Sequence, residues 1–257
     1  MCIRDRVLLD RFPAVAELDL VLPVGSVSLV QGPNGAGKTT LFRLLAGLVP
    51  LQAGSARVLG LDVATQRRKV RASVGLLAPE AMLYNDLTIG ENLSFWATLA
   101  GHGASAITAA LERVGIADLA DQRVRGLSTG QLRRSALAVV AVRRPRLWLL
   151  DEPHAGLDQA GRTIVDGLIA DAVAAGATVM VASHELDRVR PLATHVVTIA
   201  GGAVHRLEAV KGVIEPPSAV EAATQTATEV GSQAAGEAAT EAASGRIETV
   251  TEPVSET

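Results

Sequence analysis

One segment, GPNGAGKTT at residues 32–40, constrains the fold of this chain more than any other. It fits the phosphate-binding pattern GxxxxGK(S/T) at every fixed position, and it lies between an apolar run, Val27–Val30, and a helix-like run, Leu41–Leu48. Glycine lets the backbone curl so that its N–H groups point at phosphate oxygens, and the start of a helix adds a positive partial charge. The segment therefore predicts a strand, a phosphate-binding loop and a helix in succession.

The side chains at the end of this loop predict a nucleoside triphosphate and Mg²⁺ as ligands. In this pattern the lysine, here Lys38, reaches the β- and γ-phosphates, and the hydroxyl of Thr39 ligates the cation. The predicted nucleotide-binding residues are Gly32, Pro33, Asn34, Gly35, Ala36, Gly37, Lys38, Thr39 and Thr40.

Composition excludes several kinds of site and partner. The single cysteine, Cys2, forms neither an internal disulfide nor a multi-cysteine zinc site. No apolar run approaches the roughly 20 residues that cross a bilayer, so we expect a cytoplasmic chain that reaches a membrane through a partner. The net charge is −3, but residues 217–257 carry seven acidic side chains and one basic one, which leaves +3 on the rest. This positive balance is too mild to argue for nucleic acid binding, and no nucleic acid partner is expected.

Strand-like and helix-like runs alternate along most of the chain, which predicts an α/β fold with a parallel sheet covered by helices. A helix-rich block at about residues 83–144 predicts an inserted helical subdomain. The predicted strands are Val7–Leu9, Leu18–Leu22, Ser26–Val30, Ala56–Leu59, Leu147–Leu150, Thr178–Ala182 and Val196–Ala200. The predicted helices are Gly90–Leu99, Ile107–Val114, Ser128–Val142, Gln159–Ala174 and Leu186–Leu192.

The two ends of the chain depart from this pattern. Residues 215–257 are mostly Ala, Glu, Thr, Ser, Gly and Gln, and their few large apolar side chains do not offset the entropy of ordering. We predict a disordered tail there, with a partner-binding arm as the alternative. Residues 1–6 lead directly into a very short predicted strand, which suggests a non-native start. The folded domain is predicted to span residues 7–214.

A second motif follows the buried apolar run Leu147–Leu150. Asp151 and Glu152 come directly after that run, at the edge where ligands bind in open α/β sheets. Asp151 is suited to hold Mg²⁺, and Glu152 is suited to polarise the water that attacks a γ-phosphate. A solvated acidic turn would have the same sequence, but the phosphate-binding loop favours the catalytic interpretation.

A third motif is LSTGQ, which comprises Leu127, Ser128, Thr129, Gly130 and Gln131. Ser128 is suited to begin a helix, so that a hydroxyl, free N–H groups and a helix N-terminus lie together as a second anion-binding site. Taken alone, the motif is better explained as an ordinary helix cap.

The order of these motifs, followed by His184, resembles the ATP-binding subunit of an ABC transporter over about residues 7–206. The resemblance implies the P-loop NTPase fold of the ABC ATPase type, with ATP and Mg²⁺ as ligands and ATP hydrolysis as the activity. It also implies a head-to-tail homodimer in which each ATP lies between the loop of one chain and the LSTGQ motif of the other. Thr129 stands where many members of the family have glycine.

The same resemblance assigns further residues. His184 corresponds to the switch histidine that contacts the γ-phosphate, and Phe12 is the candidate for the aromatic ring that stacks on adenine. Glu80, which follows a strand at Ser73–Leu77, stands where the family usually has a Mg²⁺-binding glutamine. The loop that couples the two ATP sites of the dimer corresponds to Gly156, Leu157 and Asp158.

Three softer matches resemble the heme exporter ATP-binding subunit of cytochrome c maturation. They lie at Ala81–Ala97, Arg11–Leu20 and Ala182–Arg188. This resemblance implies heme export, a separate transmembrane permease, and a position on the inner face of the membrane. Part of the first match also occurs in other small exporters, so another exporter ATPase of the ABC-2 type is the alternative. A soluble ABC ATPase of Fe–S assembly is a further alternative.

Overall fold

The computed structural model describes residues 2–9, 12–51 and 53–210. The strands in these ranges are β1 Cys2–Leu9, β2 Phe12–Val21, β3 Val27–Gln31, β4 Ala53–Val58, β5 Leu61–Asp62, β6 Val74–Leu77, β7 Leu147–Asp151, β8 Thr178–Ala182, β9 His195–Ala200 and β10 Ala203–Ala209. The α-helices are α1 Lys38–Leu45, α2 Arg67–Ser73, α3 Ile89–Leu99, α4 Ala104–Arg113, α5 Thr129–Val142, α6 Gln159–Ala174 and α7 Leu186–Val189. Short 3₁₀ turns lie at Ala117–Leu119, Val124–Gly126 and Arg190–Leu192.

The strands form two sheets. The larger sheet has the strand order β10-β9-β3-β8-β7-β6, in which β10 pairs antiparallel with β9 and the other pairs are parallel. The smaller sheet is antiparallel, with the order β2-β1-β4-β5. Val30 of β3 and Asp151 of β7 both lie opposite Ala182 of β8. The carboxyl ends of these three strands therefore meet at one edge of the larger sheet, where open α/β folds bind ligands.

The strand β7 separates two apolar cores. Trp148 and Leu150 belong to a core shared with helices α3 to α6. Leu147 and Leu149 belong to a second core, shared with α1 and the smaller sheet. Successive side chains of a strand point to opposite faces, so both faces of β7 are buried and its sequence is apolar throughout.

The predicted α/β fold is confirmed, and most predicted elements agree with the structure to within a few residues. The bounds of α6 and β8 are those predicted. The helix expected at Leu186–Leu192 ends earlier, at Val189, because Pro191 has no N–H to donate and a 3₁₀ turn follows. The sequence analysis missed α2, β5 and β10. Val70 is the one buried side chain of α2, so its sequence has no apolar stripe.

The first strand is longer than the sequence indicated. It begins at Cys2 rather than Val7, and Cys2–Arg6 pairs with Ala53–Arg57 of β4. Backbone pairing of this kind needs no apolar pattern, so the polar start gave no strand signal. The side chain of Phe12 and residues 215–257 lie outside the described residues, and the predictions made for them stay predictions. None of the helices within the described ranges has the length and apolarity needed to cross a membrane.

Candidate nucleotide-binding site

The loop between β3 and α1 has the curled backbone that its glycines predicted. The φ angle is 152° at Gly32 and 101° at Gly37, which directly precedes α1. A Cβ atom at Gly32 would lie 2.0 Å from the carbonyl oxygen of Ile199, so a larger residue does not fit there. Within the described residues, the N–H groups of Gly35 and Gly37 donate no hydrogen bond. The loop and the start of α1 thus offer unpaired donors to an anion.

Lys38 places its ammonium group inside this loop. The residue is 8 % exposed, and Nζ donates hydrogen bonds to the carbonyl oxygens of Gly32, at 2.7 Å, and Pro33, at 3.1 Å. No carboxylate in the described part of the chain pairs with it. The positive charge is therefore held by carbonyl dipoles and remains available to a phosphate group.

Thr39 and Asp151 bring two oxygen ligands together from different elements. Thr39 lies in the first turn of α1, and its Oγ1 donates a hydrogen bond to Oδ2 of Asp151 at 2.6 Å. Asp151 ends β7 and is 3 % exposed. A hydroxyl and a carboxylate are ligands that Mg²⁺ accepts, with waters and substrate phosphates completing its octahedron. The pair therefore fits a Mg²⁺ ion held together with a nucleotide.

Glu152 and His184 face each other beside the loop. The carboxylate Oε1 of Glu152 lies 3.3 Å from Nε2 of His184, and Oε2 accepts a hydrogen bond from the His184 backbone N–H at 3.3 Å. The same Nε2 lies 2.9 Å from Oδ1 of Asn34, in the phosphate-binding loop. The imidazole thus connects the loop to the carboxylate.

Glu152 itself has an unusual backbone and a free acceptor. Its φ angle is 48°, a left-handed conformation that costs a non-glycine residue on the order of 1–3 kcal/mol. The backbone N–H of Glu152 donates to the carbonyl oxygen of Ala182 at 2.8 Å, which holds this turn in place. Its Oε1 atom is buried and, beside the 3.3 Å contact with Nε2 of His184, accepts no hydrogen bond from the described residues. Such an oxygen is suited to accept a proton from a water molecule.

These side chains line one cavity of about 380 Å³, which is within the range of small-molecule sites. The lining residues are Asn34, Gly35, Ala36, Gly37, Lys38, Thr39, Thr40, Pro79, Asp151, Glu152 and His184. Three motifs that are up to 150 residues apart in the chain therefore meet at one edge of the sheet. The LSTGQ motif, Glu80 and the predicted coupling loop are not part of this lining.

The LSTGQ motif does not line this cavity. Ser128 caps α5: its Oγ accepts a hydrogen bond from the Gln131 N–H at 3.3 Å, and the Gln131 side chain accepts one from the Ser128 N–H at 2.9 Å. Ser128 and Thr129 are exposed to solvent. The exposed start of α5 is thus separate from the phosphate-binding loop of the same chain.

The predicted coupling loop lies against the LSTGQ motif. A Cβ atom at Gly156, where φ is 74°, would lie 3.0 Å from Cγ2 of Thr129. Leu157 is buried in the helical core, and Asp158 caps α6 by accepting a hydrogen bond from the Gly161 N–H at 2.8 Å. The loop is therefore anchored at its end, while Ala155 and Gly156 stay exposed.

The structure does not bring Glu80 to the cavity. Its side chain is 77 % exposed, and Oε2 lies 3.5 Å from Nη2 of Arg43. The neighbouring residue, Pro79, lines the cavity in its place. Binding of Mg²⁺ by Glu80 would require this carboxylate to leave Arg43, so that assignment stays a prediction.

Sequence reasoning missed Arg133, which holds the site together from the second turn of α5. Its guanidinium is buried and donates to the carbonyl oxygens of Ala78, at 2.7 Å, of Glu152, at 2.6 Å, and of Asp151. Burial lowers the pKa of Arg133, and the nearby Asp151 and Glu152 charges oppose that shift. One side chain thus joins the LSTGQ helix to the ends of β6 and β7. Nothing in the sequence marks this role, because the partners of Arg133 are backbone carbonyls.

Comparison with known proteins agrees with this geometry. The family model described as ABC transporter matches residues 15–155. The chain is 39 % identical over 193 residues to the cytochrome c biogenesis ATP-binding export protein CcmA of Xanthomonas campestris pv. campestris, and the match covers 74 % of this chain and 89 % of that protein. It is also 39 % identical over 204 residues to the energy-coupling factor transporter ATP-binding protein EcfA2 of Symbiobacterium thermophilum, covering 76 % and 70 % of the two chains.

Solved structures share the fold. A dimeric ATP-binding cassette in a post-hydrolysis state with ADP and Pi has a TM-score of 0.74 at 23 % identity, over 81 % of this chain and 97 % of that one. The cbiO1 protein of Clostridium perfringens, described as part of the ABC transporter complex cbiONQ, has a TM-score of 0.66 at 28 % identity. That match covers 77 % of this chain and 82 % of cbiO1.

Proposed function

Because the chain belongs to the ABC transporter ATP-binding family and is an ATP hydrolase, we propose that it powers heme export through a separate transmembrane permease. The observation that carries the hydrolytic part is the meeting of Lys38, Thr39, Asp151, Glu152 and His184 in one cavity. These residues combine a phosphate cradle, two cation ligands and a general base at one sheet edge.

The phosphates of ATP bind at the phosphate-binding loop and the start of α1. Unpaired backbone N–H groups donate hydrogen bonds to the phosphate oxygens, and Lys38 turns from the loop carbonyls to the β- and γ-phosphates. Thr39 and Asp151 would hold Mg²⁺, which would neutralise phosphate charge. Their present hydrogen bond already sets the two ligand oxygens side by side.

Hydrolysis depends on Glu152 and His184. The free Oε1 acceptor of Glu152 orients and polarises the attacking water, and the proton of that water moves toward this carboxylate. His184 turns its Nε2–H from Asn34 and Glu152 to the γ-phosphate, while its backbone N–H keeps the hydrogen bond to Oε2 of Glu152. Stabilisation of developing phosphate charge is the larger part of such catalysis.

A second copy of the chain supplies the missing wall of the site. The exposed start of α5, with Ser128 and Gly130, is an anion site that the chain's own cavity does not use. In a head-to-tail dimer with two-fold symmetry, each LSTGQ motif covers the nucleotide on the partner's loop. The loop Ala155–Asp158 then lies at the contact between the subunits.

The membrane partner is proposed to dock on the face around Trp96. An apolar cavity there is lined by Leu48, Met82, Leu83, Trp96 and other side chains, with Glu80 and Arg143 also in its lining. Met82 is 57 % exposed, and the rings of Tyr84, Phe95 and Trp96 stack edge to face beside it. Exposed apolar patches with a charged rim are typical of protein–protein contacts. No role for nucleic acid is proposed.

Heme is favoured as cargo by the coverage of the CcmA relative, since the match includes 89 % of that protein. The energy-coupling factor relative has the same identity, so transport of another substrate is the second candidate. Part of the sequence match at Ala81–Ala97 also occurs in other small exporters, so an ABC-2 type exporter is a further candidate. A role in Fe–S assembly is less favoured.

Recovery of a membrane partner tests this proposal. The tagged chain, purified from detergent-solubilised membranes, should bring down a multispanning protein, and heme should stimulate ATP hydrolysis by the complex in lipid vesicles. Met82→Glu should abolish the recovery because it places a charge in the apolar patch. Leu207→Glu, at another exposed apolar position on β10, serves as the control. Recovery of soluble partners alone contradicts transport, and a heme-insensitive complex contradicts heme as the cargo.

A further inference from the structure

A buried histidine connects the segment after Glu152 to helix α6. His154 is 1 % exposed, and its Nε2 lies 2.9 Å from Oδ1 of Asp166. The other oxygen of Asp166 accepts a hydrogen bond from Nη1 of Arg188. Arg188 belongs to α7, which begins two residues after His184. One carboxylate therefore joins the segment that follows Glu152 to the segment that follows His184.

A second bridge runs between the same two segments. Glu185, directly after His184, lies with Oε1 at 3.3 Å from Nη2 of Arg162. Nε of Arg162 donates a hydrogen bond to the carbonyl oxygen of Leu157 at 3.1 Å. Both Asp166 and Arg162 belong to α6, so this helix is the common support of the two bridges.

The first bridge has a defined donor and a defined acceptor, His154 and Asp166. Nδ1 of His154 has no hydrogen-bond partner in the described residues, and burial lowers the pKa of this histidine. A neutral imidazole with its proton on Nε2 then donates to Asp166. The side chains of Asp166 and Arg188 are 25 % and 21 % exposed, so their ion pair is less screened by water than a surface pair.

We propose that Asp166 is a positioning residue for His184. By holding His154 and Arg188 at once, it fixes the distance between the Glu152 segment and the His184 segment. It also transmits the state of the exposed loop Ala155–Asp158 to His184, so that contact with the second subunit adjusts the switch histidine. The inference rests on the proposed function, in which that loop lies at the subunit contact.

A matched pair of substitutions on α6 tests the inference. Asp166→Asn removes the charge of the bridge, and Asp171→Asn removes the charge of a second ion pair of the same helix, formed with Arg113 of α4 at 2.6 Å. We expect Asp166→Asn to lower kcat about tenfold while KM for ATP changes less than about twofold, because misplacement affects the reacting geometry and spares binding. Asp171→Asn should change neither, although both variants lose an ion pair.

A double-mutant cycle separates positioning from a general structural role. In a His184→Ala background, Asp166→Asn should have no further effect on kcat, because it acts through His184. A decrease of the same factor in both backgrounds would overturn the inference, and so would equal effects of Asp166→Asn and Asp171→Asn. If the thermal unfolding midpoint shows that Asp166→Asn is unfolded, Arg188→Lys replaces it in the cycle under the same criteria. Full activity of His184→Ala itself would instead contradict the proposed function.

Discussion

His154 makes the stability of the protein depend on pH at the scale of one residue. Burial lowers its pKa below the ordinary value of 6.5, so the folded chain binds a proton there less readily than the unfolded chain. The stability that neutral, buried His154 contributes is fully present above the pKa of the unfolded chain. It is lost as pH falls from that pKa toward the lower pKa of the folded chain, because the unfolded chain takes up the proton first. We expect the free energy of unfolding to fall between pH 7 and pH 5.

Urea unfolding across this pH range measures the effect. His154→Gln should give a shallower loss of stability toward pH 5, since the variant has no imidazole to titrate. His205→Gln, at an exposed position on β10, is the control and should keep the slope of the unmodified protein. Equal slopes for the two variants would assign the pH dependence to other groups, of which His195, whose pKa burial also lowers, is the first candidate.

Single residues also show what the sequence could and could not predict of the site. The meeting of the phosphate-binding loop, Asp151 and Glu152 in one cavity could be expected from residue types and the strand–loop–helix pattern, and that of His184 from the family resemblance; their roles stay predictions. Arg133 was not predictable, because its partners are backbone carbonyls, among them that of Ala78, 55 residues away. A carbonyl has no sequence signature. Glu80 was placed by analogy, and its pairing with Arg43 depends on packing that the sequence does not report.

At the scale of elements, the helices α3 and α5 both begin with a capping box, and only the box of α5 is proposed to contact a nucleotide as well. Thr88 and Glu91 form a capping box at α3, and Ser128 and Gln131 form one at α5. Thr88→Ala and Ser128→Ala should each cost about 1 kcal/mol of stability, because each removes a cap. Only Ser128→Ala should also slow ATP turnover, since its hydroxyl is proposed to contact the partner's nucleotide. Denaturant unfolding and steady-state ATPase assays measure the two quantities, and equal turnover in both variants would contradict the assignment.

Elements were predictable where a buried face left a pattern. The strand β7 is apolar throughout because both of its faces are buried, and α6 has a regular buried stripe, Val165, Leu168, Ile169 and Ala172. In contrast, β10 is mostly half-buried or exposed, and α2 buries one side chain. The formation of β10 and α2 depends on contacts with neighbouring strands and loops, and the local sequence pattern gives no information about those contacts.

At the scale of the whole molecule, the chain is proposed to carry one half of each of the two ATP sites of a dimer. The chain has a cavity that is proposed to hold the phosphates, and the exposed start of α5, separate from that cavity, is proposed as a second anion site. Arg133 joins that helix to the backbone of Asp151 and Glu152. We therefore propose that closure of one site changes the position of these two residues in the other site. We propose that a dimer, which forms on ATP and opens on hydrolysis, converts the reaction into motion at the Trp96 face.

The mass of the Glu152→Gln protein in solution tests this central claim most directly. The substitution removes the general base and should lower the ATPase rate about 100-fold or more while ATP still binds. By light scattering, the 26.6 kDa chain should have about twice its single-chain mass in Mg-ATP and revert to a single chain in Mg-ADP. Adding Ser128→Arg should abolish the doubling and leave ATP binding intact. A protein that is saturated with ATP yet keeps the mass of one chain would contradict the account, as would equal dimer formation by the Ser128→Arg variant.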